Sequence, residues 1–309
     1  MILITGGLGF LGVALARYLV EQGREVLLTR RRTSRIPVFL ADYLDEKVKV
    51  VDCDILDLPN LIAVLKKFRV QSIIHAAGVT QAMASLYQGF KINLEGTINV
   101  LEAARLMDIK RVSFTSSITV YFGIRSEIPY NETMTIPLDG KHYITNNKIA
   151  AEVLGNLYAG QYGLELITSR ISMAYGPYSA STFTPLELMV EGAVRESKVV
   201  LSQVHPEAMM DFIYIDDCAR ALVMLHLAKK PRYTVYNVAS GKSHSYGEVA
   251  GVIKKLILDC HIELKGERAP RYPISINVDR IQEEFGFKTE YDLEHGIQKY
   301  IDWIARGKS

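Results

Sequence analysis

The sequence predicts an α/β protein built on a doubly wound parallel sheet, with a smaller, mainly helical lobe formed by its C-terminal part. Three observations lead there. Short apolar runs alternate with longer amphipathic segments from the first residue onward. Those runs lack period-two alternation, so each suits a strand covered on both faces. A cluster of glycines follows directly on the first run, where a strand would turn into a helix. At 309 residues, with 49% hydrophobic and 23% charged, the chain suits one large domain or two sharing a core.

The elements follow in order. "MILIT" (1–5) reads as a strand, and "GVALARYLVEQG" (12–23) as a helix with apolar residues at helical spacing and Gly23 as its stop. "REVLLT" (24–29), "VKVVDCD" (48–54) and "QSIIHAA" (71–77) are further buried strands. "TINVLEAARLMDI" (97–109) is a helix and "RVSFTSS" (111–117) the next strand; after a helix beginning near His142, "LELITSRIS" (164–172) is the sixth. Strands alternating with helices imply right-handed crossovers and helices on both faces of a parallel sheet.

Beyond about residue 175 the rhythm breaks. "YGPYSASTFTP" (175–185) reads as a long loop, while "DFIYID" (211–216) and "YTVYNVAS" (233–240) are strands expected to return to the large sheet. Helices are expected near 246–258 and 292–305. The expected division is a dinucleotide-binding domain over 1–174, joined by strands from about 208–240, and a substrate lobe from 175–207 and 241–309. No internal repeat or low-complexity tract occurs.

A formal charge of +2 gives no electrostatic reason to expect nucleic acid or an anionic membrane as partner. The three cysteines, Cys53, Cys218 and Cys260, lie far apart without a CxxC, so neither a disulfide framework nor a zinc site is suggested, and a reducing, cytoplasmic setting fits. The seven histidines form no HxxxH cluster, and no metal is expected. No apolar run approaches the roughly 18 residues of a membrane span. An apolar strand at the start, without a basic region before it, argues against a signal peptide.

"TGGLGFLG" (5–12) parses as Gly7-x-Gly9-x-x-Gly12 or Gly6-x-x-Gly9-x-x-Gly12. Either way the glycines allow a tight turn and let the backbone approach a pyrophosphate, while the following helix aims its free N–H groups at the phosphates. An acidic residue ending the second strand would bind the ribose of NAD; the sequence has Thr29, Arg30, Arg31 and Arg32 there. Guanidinium groups suit a 2′-phosphate, so NADP is favoured, with NAD the alternative and a plain solvated basic loop the bland reading. Asp54 either accepts from the adenine amino group or caps the next helix.

With "CDILD", "IIHAAG" (73–78), "NLEGTINVLEAA" (93–104), "FTSSITVYFG" (114–123), "SRISMAYGP" (169–177), "DFIYIDD" (211–217) and "YNVASG" (236–241), the glycine loop forms an ordered set running essentially end to end. The set resembles the extended short-chain dehydrogenase/reductase family, also called the NAD-dependent epimerase/dehydratase family. The resemblance implies a Rossmann-type domain for NAD(P), a substrate lobe that commonly takes a nucleotide sugar, and a homodimer. Cofactor contacts are thus expected at Gly6, Gly9, Phe10, Leu11 and Gly12, at Arg30 and Arg31, and at Asp54 and Ile55. Ala76, Ala77, Gly78, Asn93 and Lys148 complete them.

By the same resemblance Ser117 holds the substrate oxygen; Thr119, two residues on and on the same face if the segment is extended, is placed to assist. Lys148 binds the nicotinamide ribose and lowers the pKa of a catalytic tyrosine, which is necessary because an unperturbed phenol titrates at about 10. In the family pattern that tyrosine stands four residues before the lysine; here Ile144 holds the place and Tyr143 precedes it. On a regular helix a spacing of four separates side chains by about 40°, a spacing of five by about 140°. Three readings are open. The helix begins after Tyr143 or bulges there, so that Tyr143 still transfers the proton; or Ser117, Thr119 or His142 handles it; or the site binds cofactor without turnover.

The substrate-side positions also depart from the pattern. Met209 and Met210 stand where an arginine often precedes the aspartate, and Met173 where an asparagine often follows the sixth strand. A thioether cannot hold a diphosphate. Met173 and Met210 as substrate contacts therefore imply a less phosphorylated or more apolar substrate than a nucleotide sugar, unless Arg195, Lys198, His205 or Arg268 supplies charge. The expected function is an NADP-preferring oxidoreductase of the epimerase/dehydratase type acting on a carbonyl or carbinol carbon. A catalytically silent NADP-binding regulatory or scaffold protein, and an NAD-using nucleotide-sugar epimerase or dehydratase, are the alternatives.

Overall fold

Apolar segments too short for a helix and too uniform for a half-exposed strand become the central layer. In the computed structural model, which describes residues 1–31, 36, 40, 47–79, 85–124, 128–138, 143–178, 184–267 and 274–307, the first unit comprises Met1–Ile124, Thr135–Arg170 and Ala219–Tyr236. Its strands begin with β1 (Ile2–Thr5), β2 (Val26–Arg30), β3 (Val48–Asp52) and β4 (Ser72–His75). β5 (Arg111–Ser117), β6 (Glu165–Ile171) and β10 (Val235–Val238) complete a seven-stranded sheet in the order β10-β6-β5-β4-β1-β2-β3. β1 pairs in parallel with β2 and β4, β2 with β3, and β4 with β5. Strand order reverses beside β1, and in such sheets ligands sit outside the carboxyl ends at that reversal.

Helices α1 (Phe10–Glu21), α2 (Leu58–Lys67), α4 (Gly96–Leu106) and α5 (Tyr143–Tyr162) belong to this unit. Asp57 starts α2 by accepting from the Asn60 amide at 3.0 Å. Asp54 instead accepts from the Leu56 amide, so the helix-capping role weighed for it belongs to Asp57. A short helix α3 (Leu86–Phe90) runs through a π-turn (Lys91–Glu95) into α4. Leu3, Leu27, Ile73, Val100, Leu101 and Val112 belong to one core cluster.

The second unit comprises Arg125–Met134, Ile171–Cys218 and Asn237–Ser309. Helices α6 (Pro185–Glu196), α8 (Tyr246–Leu256), α9 (Asp279–Phe285) and α10 (Leu293–Ala305) dominate it, and α7 (Ile215–Leu227) begins in it. It also holds two small sheets: β7 (Met173–Tyr175), β9 (Met209–Tyr214) and β11 (Ser243–Ser245) in one, β8 (Lys198–Leu201) and β12 (His261–Leu264) in the other. The expectation for "DFIYID" is corrected here: β9 pairs with β7 and β11, and only the later strand, β10, joins the large sheet. A continuous apolar run marks a covered strand but does not say which sheet covers it.

Candidate functional site

Gly6 takes φ +66°, and a Cβ on Gly12 would run into the Gly6 carbonyl oxygen and the Gly7 backbone. The loop after β1 is thus folded as tightly as glycine allows. Its amides fasten it to β2: the Gly6 N–H donates to Thr29 Oγ1 and the Gly7 N–H to the Thr29 carbonyl, each at 3.2 Å. Gly9 begins α1 without a side-chain cap, so the first N–H groups of a twelve-residue helix face the loop.

A pocket of about 280 Å³ opens beside this loop. Of the residues expected around a cofactor, it brings together Gly6, Gly9, Arg30, Arg31, Asp54, Ile55, Ala76, Ala77 and Gly78. Phe10, Leu11 and Gly12 lie in the first turn of α1, outside the lining. Asn93 supports the wall from the π-turn: its Oδ1 accepts from the Val79 amide and its Nδ2 donates to the Val79 carbonyl, both at 2.9 Å. Arg30 Nε donates to Asp52 Oδ1 at 2.7 Å across the β2–β3 pair, while Arg31 is exposed at the rim. Arg32 lies outside the described residues. An uncapped helix end, a glycine cradle and arginines at the far end fit a dinucleotide by shape and charge.

Ser117 ends β5, and its Oγ accepts from the Thr119 amide at 3.2 Å. Ile118–Tyr121 then forms a 3₁₀ turn, which corrects the extended segment expected for Thr119. At three residues per turn, two steps carry the chain well round the axis, so Thr119 does not share a face with Ser117. Thr119 Oγ1 is buried and has no hydrogen-bond partner among the described residues.

α5 begins at Tyr143, with Lys141 and His142 outside the described residues. Tyr143 is 6% exposed, its hydroxyl packs on Gly89 of α3, and that hydroxyl has no hydrogen-bond partner among the described residues. Burial raises its pKa. Lys148 Nζ donates to the Thr115 carbonyl of β5 at 2.5 Å and lies 4.9 Å from the Phe114 ring centroid. Burial lowers its pKa to about 8, with Glu152 pulling the other way. Tyr143 and Lys148 are therefore not paired. Ile144, at the family tyrosine's place, is half-buried.

One turn beyond Lys148, Glu152 is buried among polar partners. Its Oε1 accepts from Ser116 Oγ at 2.5 Å, its Oε2 from Arg170 Nη2 at 2.8 Å, and Arg170 Nη1 donates to the Tyr121 hydroxyl at 3.0 Å. Sequence reading missed this group; an arginine inside the otherwise uncharged run "LITSRIS" was the visible signal. In the second unit, Met173 opens β7 and Met210 stands opposite His244 of β11, both half-buried.

Comparison with known proteins finds chains of the same fold. A bovine mitochondrial L-threonine 3-dehydrogenase is 28% identical over 98% of this chain and 82% of its own. The crystal structure of a Thermotoga maritima UDP-glucose 4-epimerase with UDP-glucose superposes with TM-score 0.87 at 21% identity, covering 100% of this chain and 99% of the other. A Thermus thermophilus UDP-glucose 4-epimerase in complex with NAD gives TM-score 0.82 at 21% identity, with 97% of each chain covered. The model of the NAD dependent epimerase/dehydratase family matches residues 2–239, and the chain belongs to that family.

Proposed function

We propose that the chain is an NADP(H)-preferring oxidoreductase of the epimerase/dehydratase type. It moves hydride to or from a carbonyl or carbinol carbon of a sugar-like or other small substrate. The observation that carries this reading is the pocket running from the glycine cradle to Arg30 and Arg31. A nicotinamide nucleotide bound there supplies the hydride donor or acceptor. The loop amides and the start of α1 would hold its phosphates, and Arg31 would meet a 2′-phosphate, joined by Arg30 if its bond to Asp52 is given up. Lys148 holds the ribose, Ser117 holds the substrate oxygen, and Tyr143 moves the proton once its ring turns from Gly89 toward the lysine.

A second reading, a silent NADP-binding regulatory protein, is favoured by Ile144 and by the unpartnered Tyr143 phenol. A third, an NAD-using nucleotide-sugar epimerase or dehydratase, is supported by the UDP-glucose and NAD in the two similar structures. Met173 and Met210 speak against it for want of charge.

Titration with NADPH and NADH tests the cofactor assignment. Arg31→Ala should weaken NADPH binding about tenfold and leave NADH unchanged; equal effects on both would sink the NADP preference. Once a substrate is in hand, Tyr143→Phe should lower turnover by orders of magnitude, whereas a silent protein shows none before or after. We also propose a cytoplasmic homodimer. α5 exposes Val153 and Leu157, the described cysteines are free, and no helix among the described residues is long and apolar enough to cross a membrane.

A further inference from the structure

His75 ends β4 and is 2% exposed, with both ring nitrogens engaged. The hydrogen positions follow from its neighbours. Thr97 Oγ1 has one hydrogen and donates it to the Asn93 carbonyl at 2.6 Å. It therefore meets His75 Nε2, 3.0 Å away, as an acceptor, and Nε2 must carry the ring hydrogen. Nδ1 is left with its lone pair and accepts from Thr5 Oγ1 at 2.7 Å. The Thr5 oxygen in turn accepts from the Ala77 amide at 3.2 Å.

Every hydrogen along this path points the same way, from the Ala77 amide through Thr5 at the end of β1 and His75 to the Asn93 carbonyl of the π-turn. A second ring hydrogen on Nδ1 would meet the hydroxyl hydrogen of Thr5, so protonation breaks the Thr5–His75 link. Lys148, from α5, is the charged group acting on the ring, and it opposes a second positive charge; burial and that cation hold the imidazole pKa down at about 3.

One end of this path lies in the pocket wall and the other braces it. Thr5 immediately precedes the phosphate loop, and Ala77 lines the pocket. Asn93 clamps Val79, another lining residue, by two hydrogen bonds.

We propose that His75, held as the neutral Nε2–H tautomer, is a positioning residue for the nucleotide pocket, tying the strand end that launches the phosphate loop to the π-turn that carries Asn93. This rests on the reading of the pocket as a nicotinamide-nucleotide site. The imidazole acts through Thr97 and Asn93 and does not touch the ligand.

Two measurements test it. Long-range proton–nitrogen correlation spectra of ¹⁵N-histidine-labelled protein, with His75→Gln to identify the signal, should show Nε2 protonated and no titration between about pH 5 and pH 9. An Nδ1–H ring, or a titration near the ordinary histidine value, overturns the proposal. In the second, Thr97→Val and Thr97→Ser are titrated with whichever of NADPH and NADH the wild type binds more tightly. The valine variant, which leaves Nε2–H without an acceptor, should bind about tenfold more weakly, and the serine variant within about twofold of wild type. A valine variant that melts earlier but binds as wild type reduces the chain to a structural role and overturns the positioning claim alone. A wild type that binds neither nucleotide overturns the nucleotide reading and the positioning role with it.

Discussion

The phenol of Tyr143 is buried yet bonds to nothing among the described residues, and it is received by the only residue type that leaves space for it, the glycine at position 89. A buried hydroxyl without a partner costs about 1–3 kcal/mol. Tyr143→Phe should therefore leave the melting temperature unchanged or raise it, and a clear loss would show a bond to that hydroxyl. Gly89→Ala should destabilise by about 1–3 kcal/mol, because the new methyl meets the ring. In a Tyr143→Ala background most of that cost should vanish, a coupling that a double-mutant cycle in urea would measure. Lys148 makes a further prediction. Its pKa falls from 10.5 to about 8, chiefly through burial, so between those values the unfolded chain binds more protons than the folded one. Stability from this group must rise as pH climbs through that window, and the rise should disappear in Lys148→Met.

α5 is fixed to the sheet at two successive turns, by Lys148 on the Thr115 carbonyl and by Glu152 on the Ser116 hydroxyl. Arg170 of β6 closes the arrangement by holding Glu152 and the Tyr121 hydroxyl. Both flanks of Ser117 are thus braced by one buried ion pair. Glu152→Ala strands the guanidinium of Arg170 in the interior and should cost about 3–5 kcal/mol, whereas Glu152→Leu with Arg170→Met should cost less, as equilibrium unfolding would show. These elements differ in how far they could be read from the sequence. β1, α1 and the glycine loop were legible because strand, turn and helix signals are all local. α6 was not foreseen, although Thr184, Pro185 and Glu187 spell the start of a helix: Thr184 Oγ1 accepts from the Glu187 amide and the Glu187 carboxylate from the Thr184 amide. The Ser- and Thr-rich stretch before it masked the signal. The Glu152–Arg170 pair depends on residues eighteen apart meeting across a helix and a strand, which no spacing rule announces.

Two histidines of the first unit, His75 and His226, are buried and neutral, with pKa values pushed from 6.5 down to about 3, by burial first and then by Lys148 and Arg111 respectively. Below pH 6.5 the unfolded chain takes up protons that the folded chain refuses, so stability falls as pH drops toward about 3. His226 bonds Ser113 and Ser72 and lies outside the pocket lining; His226→Gln should flatten the acid limb of a pH–stability curve by about one proton. At the scale of the whole molecule the α/β order was legible because apolar runs alternate with helical ones, while the partition of late strands between sheets was not, since burial is indifferent to which sheet provides it. The first unit is assembled from three separated stretches, the last ending at Tyr236. During synthesis its sheet must therefore wait, without β10 on its edge, until Val238 has left the ribosome. The large sheet is early in sequence but late to be finished, and a ribosome-bound chain ending before Val235 should expose the β6 edge to cleavage that a chain extended past Tyr236 resists.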